Sequence, residues 1–287
     1  MVELKHFSRS FLREEVLPTA FCPGCGIGII MNAFIKAVSE LGYTDFSQFA
    51  FVSGIGCSAW AVSPYFKADS IHVTHGRAIP VATGLKLIRP DLNVVVISGD
   101  GDLANIGGNH LIHAARRNID LTVILVNNMT FGMTGGQTSS LTMSDLRTAT
   151  SPYGNPERPF KISELVKTAG ANYVARWTTY HMIQLSNSIK KALKKKGFRF
   201  IEVVSQCPTG LGRRIGKNDG IKMLHWFKEI SVPVTKARNM SDSELKDKII
   251  VGELADLEQK TFQEKISKIN ERAKKTLKQL VMASKNN

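Results

Sequence analysis

Gly99-Asp100-Gly101 is followed, after 25 residues, by Asn127-Asn128. A carboxylate and an amide oxygen are both hard ligands, and at the ends of two adjacent strands they can share one divalent cation. Glycines beside Asp100 let the backbone and a helix start come close to a diphosphate, whose charge the cation partly neutralises. A main-chain oxygen of the loop that follows, at Thr130, supplies a third ligand. Either half of this pattern alone is an ordinary turn. Both together, each after an apolar run, point to a bound diphosphate and its metal.

Four cysteines form the second chemical set. They stand as Cys22-Pro-Gly-Cys25, Gly56-Cys57-Ser58 and Cys207-Pro-Thr-Gly, each beside Gly or Pro, in turns whose amides can point at sulfur. A reducing compartment disfavours disulfides between them. Structural zinc sites usually carry two CxxC pairs; here one pair is joined by two singles, with 31 and 149 residues between. Cys57 and Cys207 both follow strand-like runs, so the four thiolates can still converge, and such a set suits an iron-sulfur cubane. A four-cysteine zinc site in a nucleic-acid-binding protein and unreactive buried thiols are the alternatives. His75, in Thr74-His75-Gly76-Arg77, is either a cofactor contact or a locally satisfied histidine.

These residues need a scaffold, and the hydropathy pattern supplies one. Apolar runs at 48–53, 93–98, 121–126 and 199–205 read as strands, and 26–41, 77–88, 107–117 and 181–196 as helices. Such alternation predicts an α/β fold: a doubly wound, mainly parallel sheet. In such sheets ligands bind beyond the carboxyl ends of the strands, where Gly54 to Cys57, Gly99 to Asp102, Asn127-Asn128 and Gln206-Cys207 all fall. Leu245, Ile249, Leu254, Leu257, Ile266, Ile269 and Leu277 recur with helical spacing, so 241–285 is expected to be a helical tail. The expected division is 1–235 for the binding domain and 236–287 for the tail.

The 287 residues are 43% hydrophobic and 22% charged, enough to bury a core without staples. No apolar run reaches the roughly 18 residues of a membrane span, and no signal core opens the chain, so a cytoplasmic protein with no membrane partner is expected. The net charge is +14, and 186–228 holds eleven basic residues against two acidic ones. That excess favours an acidic partner. The run Lys190, Lys191, Lys194, Lys195, Lys196 is either part of a docking surface or a solvated helix face. Its lysines are not interleaved with aromatics and no binding module is recognisable, so nucleic acid is not the expected partner.

GDGDLANIGGNH and NNMTFGMTGGQTS resemble the thiamine diphosphate motif, and more narrowly the β subunit of 2-oxoacid:ferredoxin oxidoreductases. The resemblance runs from Cys22 to about Arg214. It implies the diphosphate domain of thiamine enzymes, with Asp100, Asn128 and the Thr130 carbonyl on magnesium and Gly99, Gly101, Asp102, Gly132 and Met133 along the diphosphate. Ile55, Gly56, Cys57, Ser58 and His75 would lie against the same cofactor. Cys22, Cys25, Cys57 and Cys207 would bind one [4Fe-4S] cluster. The implied activity is coenzyme A-dependent oxidative decarboxylation of a 2-oxoacid, in either direction, with electrons passing singly to an acidic ferredoxin. By the resemblance, a second domain usually contributes the glutamate that activates the cofactor, and no second βαβ domain is found in this sequence, which implies an obligate α subunit and a dimer of such pairs. Gly56 to Trp60 and Lys67-Ala68-Asp69 are most similar to the branch that uses 2-oxoglutarate, with pyruvate or broad 2-oxoacid use as the alternative. A non-redox carboligase half with structural cysteines is a further one. Arg213 and Arg214 are candidates either for a second substrate carboxylate or for a partner contact.

Overall fold

The computed structural model describes residues 6–285. Its strands are β1 (Phe49–Ser53), β2 (Asp69–His72), β3 (Asn93–Gly99), β4 (Thr122–Asn127), β5 (Tyr173–Thr178), β6 (Arg199–Val204), β7 (Ser231–Pro233) and β8 (Ile249–Asp256). The main helices are α1 (Ile27–Glu40), α2 (Ala78–Ile88), α3 (Gly108–Arg117), α4 (Ile162–Ala169), α5 (Met182–Lys194), α6 (Gly220–Ile230), α7 (Val234–Ala237) and α8 (Phe262–Lys285).

The strands form one sheet in the order β2-β1-β3-β4-β6-β5-β8-β7. From β2 to β5 all neighbours are parallel, and β8 runs antiparallel to β5. Parallel strands buried on both faces need continuous apolar runs, which is what VVVIS in β3 and TVILV in β4 provide. Alternate residues then serve opposite layers. Val95 and Ile97 join α1 and α5, whereas Val94 and Val96 join α2, α3 and α4. The chain first winds from β1 out to β2, then returns past β1 to β3 and beyond. That reversal opens a crevice between the carboxyl ends of β1 and β3, where this kind of sheet takes its ligand.

The fold class is the expected one, and the four expected strands and helices are present. The tail differs. Within 241–285, only Phe262–Lys285 is an α-helix; Ile249–Asp256 is a strand on the β5 edge. A boundary at 235/236 would also separate β7 from β8, its parallel partner. The β-branched run Ile249-Ile250-Val251 suits a strand better than a helix, a local preference that outweighs the helical spacing of the leucines. β5 carries no purely apolar run, because its Arg176 is buried in an ion network. α8 opens on a capping box: Thr261 N donates to Glu264 Oε2 at 2.7 Å and Glu264 N to Thr261 Oγ1 at 3.1 Å. Among the described residues no helix is long and apolar enough to cross a membrane.

Candidate active site

Asp102 ties the crevice together. Its Oδ1 accepts from Gly76 N at 2.7 Å and Ile55 N at 3.2 Å, and its Oδ2 from Ser98 Oγ at 2.9 Å. His75 Nδ1 lies 2.8 Å from Oδ1. A carboxylate that already accepts from three donors cannot offer a proton, so Nδ1 carries the hydrogen and Nε2 is the open ring nitrogen. The loops after β1 and β2 thus converge on one side chain of the turn after β3. Gly54 is glycine because a Cβ there would overlap the Asp102 carboxylate.

Across the crevice, Asp100 is 2% exposed. Burial pushes its carboxyl up to about 7, against the pull of the Ser139 hydroxyl and nearby backbone amides. Ser139 Oγ donates to Asp100 Oδ2 at 2.5 Å. One end of the Asn128 amide lies 2.6 Å from the Thr130 carbonyl oxygen and 3.2 Å from Asp100 Oδ1. With its nitrogen turned there it donates to both. With its oxygen turned there, three oxygens of the kind hard cations take converge.

Asn127 makes that convergence possible. Its Nδ2 donates to Glu202 Oε1 at 2.8 Å, and its Oδ1 accepts from Met129 N at 3.1 Å. Met129 has φ 59°, a left-handed turn that non-glycine residues rarely adopt. Glu202 is held in turn by Arg176 Nε at 2.7 Å and Ser163 Oγ at 2.6 Å, and Arg176 Nη2 reaches Glu164 at 2.6 Å. In the Asn-Asn pair the first residue therefore shapes the turn and the second faces the crevice.

All the expected cofactor residues meet in one cleft. It is lined by Ile55, Gly56, Cys57, Ser58, His75, Gly99, Asp100, Gly101, Asp102, Asn128, Thr130, Gly132 and Met133, together with Phe131 and Thr134. A Cβ on Gly101 would strike the Phe131 ring. Sequence reasoning missed Phe131, Ser139 and Glu202. Phe131 and Ser139 stand inside the run that carries the family resemblance, but Glu202, inside an apolar strand, gives no local signal.

The four thiols gather beside this cleft. A Cβ on Gly132 would lie 3.5 Å from Cys207 Sγ and 3.9 Å from Cys57 Sγ. Gly26 N donates to Gln206 O at 3.1 Å, and Gly24, at φ +76°, packs so closely on Gly220 that a Cβ would sit 2.9 Å from its Cα. These contacts dock the Cys22–Cys25 turn on the loop of Cys207. Burial pushes the Cys25 thiol up to about 12; the Ile27 amide pulls it back, and Cys207, Cys57 and Cys22 add to the rise. Burial also raises Cys57 and Cys207, the latter opposed by the amides of Gly210 and Leu211. Among the described residues no three His, Cys, Asp or Glu side chains close on a single point as one metal ion requires. All four cysteines are free, and Cys22 is exposed.

The lysine run divides. Lys190 pairs with Glu40 at 2.5 Å, Lys191 with Glu253 and Asp256 at 2.7 Å each, and Lys195 with Asp256 at 2.7 Å. Arg213 and Arg214 are exposed, and Arg214 Nη2 reaches Gly135 O at 3.5 Å, beside the Gly132–Met133 lip of the cleft.

A doubly wound sheet with a glycine-lined cleft and a buried aspartate at its reversal point defines a ligand-binding α/β protein of the kind that takes phosphorylated cofactors. The family model for the thiamine pyrophosphate enzyme C-terminal TPP binding domain matches residues 54–203. The chain is 52% identical over 269 residues to the 2-oxoglutarate synthase subunit KorB of Methanocaldococcus jannaschii, covering 94% of this chain and 99% of that protein. It is 53% identical to the same subunit of Methanothermobacter thermautotrophicus, covering 93% of each. A solved 2-oxoglutarate:ferredoxin oxidoreductase from Magnetococcus marinus, with 2-oxoglutarate, coenzyme A and succinyl-CoA bound, superposes with a TM-score of 0.81 at 34% identity, over 94% of this chain and 91% of that one. The chain belongs to the family of 2-oxoglutarate synthase KorB subunits.

Proposed function

We propose that this chain is the thiamine diphosphate-binding β subunit of a 2-oxoglutarate:ferredoxin oxidoreductase, which makes succinyl-CoA from 2-oxoglutarate and coenzyme A and passes the electrons to ferredoxin. The observation that carries this reading is that the Asp100 carboxylate, one end of the Asn128 amide and the Thr130 carbonyl converge in a cleft whose wall includes Cys57, with Cys207 beside it. Family membership and the bound ligands of the Magnetococcus marinus enzyme support the choice of substrate.

The residues present fit the implied groups. Asp100, the Asn128 amide oxygen and the Thr130 carbonyl would hold magnesium. A cation there relieves the burial that otherwise favours the protonated Asp100 carboxyl. Gly99, Gly101 and Gly132 leave room for the diphosphate, and His75 would present Nε2 to the cofactor from the opposite wall. Cys22, Cys25, Cys57 and Cys207 would each take one iron of a [4Fe-4S] cluster. Four thiols gathered from three separate turns beside the cleft give a cubane one ligand for each of its irons. The amides of Gly210 and Leu211 at Cys207 would stabilise thiolate charge and so tune the centre's potential. When bound, thiamine diphosphate supplies the carbon nucleophile for the 2-oxo group and the cluster takes electrons singly.

No glutamate lines the cleft among the described residues, so the group that activates the aminopyrimidine comes from an α subunit. Ile55, Trp60, Ile106 and Met133 are 38%, 44%, 48% and 46% exposed; the first and last sit on the cleft itself. A partner covering them would bury apolar area and exclude water from the reaction. The test is anaerobic co-expression with the α subunit, followed by iron, sulfide and thiamine diphosphate analysis and by turnover assays. About four irons per chain, with dye reduction dependent on 2-oxoglutarate and coenzyme A, is the expected result. Zinc in place of iron, or turnover by the isolated chain, would overturn the reading. Weaker activity with 2-oxoglutarate than with pyruvate would overturn the substrate assignment.

A further inference from the structure

The basic stretch 186–228 splits into two halves that present different fields. On α5 and just beyond it, Lys190, Lys191 and Lys195 are matched by carboxylates of α1, β8 and the turn after it, which cancels most of their field, whereas Lys194 and Lys196 are exposed and no ion pair holds either among the described residues. Beyond Cys207 the situation is reversed. Arg213, Arg214, Lys222 and Lys228 are exposed, and among the described residues no ion pair holds any of them. Lys217 lies 5.9 Å from the Trp226 ring centre and Lys228 5.8 Å from that of Tyr180, contacts that keep the charge. From 206 to 230 five Lys and Arg face two acids, Asp219 and Glu229. Asp219 is occupied as the cap of α6, accepting from Ile221 N at 2.7 Å and Lys222 N at 3.0 Å.

This unpaired half adjoins the four thiols. The start of α6 touches the Cys22–Cys25 turn through Gly220 and Gly24, and Cys22 is the exposed member of the set. α6 also packs against the Thr179–His181 turn, which brings Tyr180, 42% exposed, to the same side as Ile221, 67% exposed. Exposed apolar residues ringed by cations have the composition of a docking patch.

We propose that α6, the Gly212–Ile215 turn and Tyr180 form the docking surface for a small acidic electron carrier. The inference rests on the proposed function, since it needs a redox centre at the four thiols. Electron transfer weakens steeply with distance, so a carrier must approach where that centre lies nearest solvent, the Cys22 side. Uncompensated cations there draw and orient an acidic protein, while the paired lysines of α5 do not. Each encounter moves one electron: the centre is oxidised by one and the carrier reduced by one, with no bond made or broken.

The experiment uses the complex with the α subunit. A Lys222→Glu/Lys228→Glu variant is compared with wild type and with Lys194→Glu/Lys196→Glu, whose lysines belong to the run at the end of α5. Two acceptors are assayed with 2-oxoglutarate: an acidic ferredoxin, and methyl viologen, which needs no protein docking surface. At low salt kcat/KM for ferredoxin should fall about tenfold in the α6 variant, with flattened salt dependence, while viologen reduction and iron content stay at wild-type values. Unchanged ferredoxin kinetics, or an equal loss in the Lys194/Lys196 variant, would overturn the docking surface and leave the function standing. Absent viologen reduction in the wild-type complex would overturn both. If charge reversal at both sites lowers iron content, Lys228→Gln carries the same comparison, with a smaller fall in kcat/KM expected and none overturning the surface.

Discussion

Asn127 illustrates how a side chain can matter to a site it does not enter. It holds Met129 in a left-handed turn and is itself held by Glu202, which Arg176 keeps in place. Partners that orient ligands from behind typically alter affinity by about 10–100-fold when removed. Glu202→Gln and Asn127→Ala should therefore weaken magnesium-dependent thiamine diphosphate binding by about that factor, measured by calorimetry on the complex. Loss of thermal stability with unchanged affinity would show that the network serves the fold alone. At Asp102 the consequence is different, because its carboxylate clasps the loops after β1 and β2: Asp102→Asn exchanges an acceptor for a donor facing amides, and should cost His75 its fixed tautomer.

At the scale of elements, what matters is how separate turns are pressed together. Gly24 and Gly220 are in contact, and Gly24 also has φ +76°, so a side chain there meets both a steric barrier and an unfavourable backbone region. Gly24→Ala should destabilise the docked Cys22–Cys25 turn by about 1–3 kcal/mol. Its readout is a fall in iron content and in the cluster's visible absorbance, with thiamine diphosphate binding retained; unaltered iron would contradict the idea that this glycine contact sets the thiols. Gly28, on α1 with open space around it, is the natural control. An alanine there should leave the iron unchanged and, by helix propensity, stabilise by about 1 kcal/mol.

At the scale of the whole molecule, two buried ion networks tie helices to the sheet among the described residues, and both reach β6. Arg176 joins Glu202 and Glu164, and Asp120 joins Arg199 and Lys86. Arg199 and Lys86 hold the Asp120 carboxyl below its usual range against burial, and Arg176 does the same for Glu164. Depressed carboxyl pKa values add stability that is fully present above the unfolded values near 4, and that is lost as pH falls through the folded ones. Melting temperature should therefore drop below about pH 4, and Asp120→Asn should flatten that drop while lowering stability at pH 7. A pH profile unchanged by the substitution would remove Asp120 as its source.

Much was legible before the fold was known, for local reasons. Buried parallel strands need unbroken apolar runs, so β1, β3, β4 and β6 stood out, and glycines, Asp100, Asn128 and the cysteines marked the turns that follow them. β5 stayed hidden because its buried Arg176 is satisfied by carboxylates from elsewhere, and β8 because leucines at helical spacing ran through a β-branched stretch. By itself the sequence determined which chemistry is available: a hard-cation ligand set, a diphosphate-sized gap and four thiols. Tertiary structure alone decided which groups face one another. Glu202 reaches Asn127 only because β4 and β6 pair side by side, and Lys191 and Lys195 lose their field only once β8 folds against them, since both effects depend on distances between residues far apart in the chain.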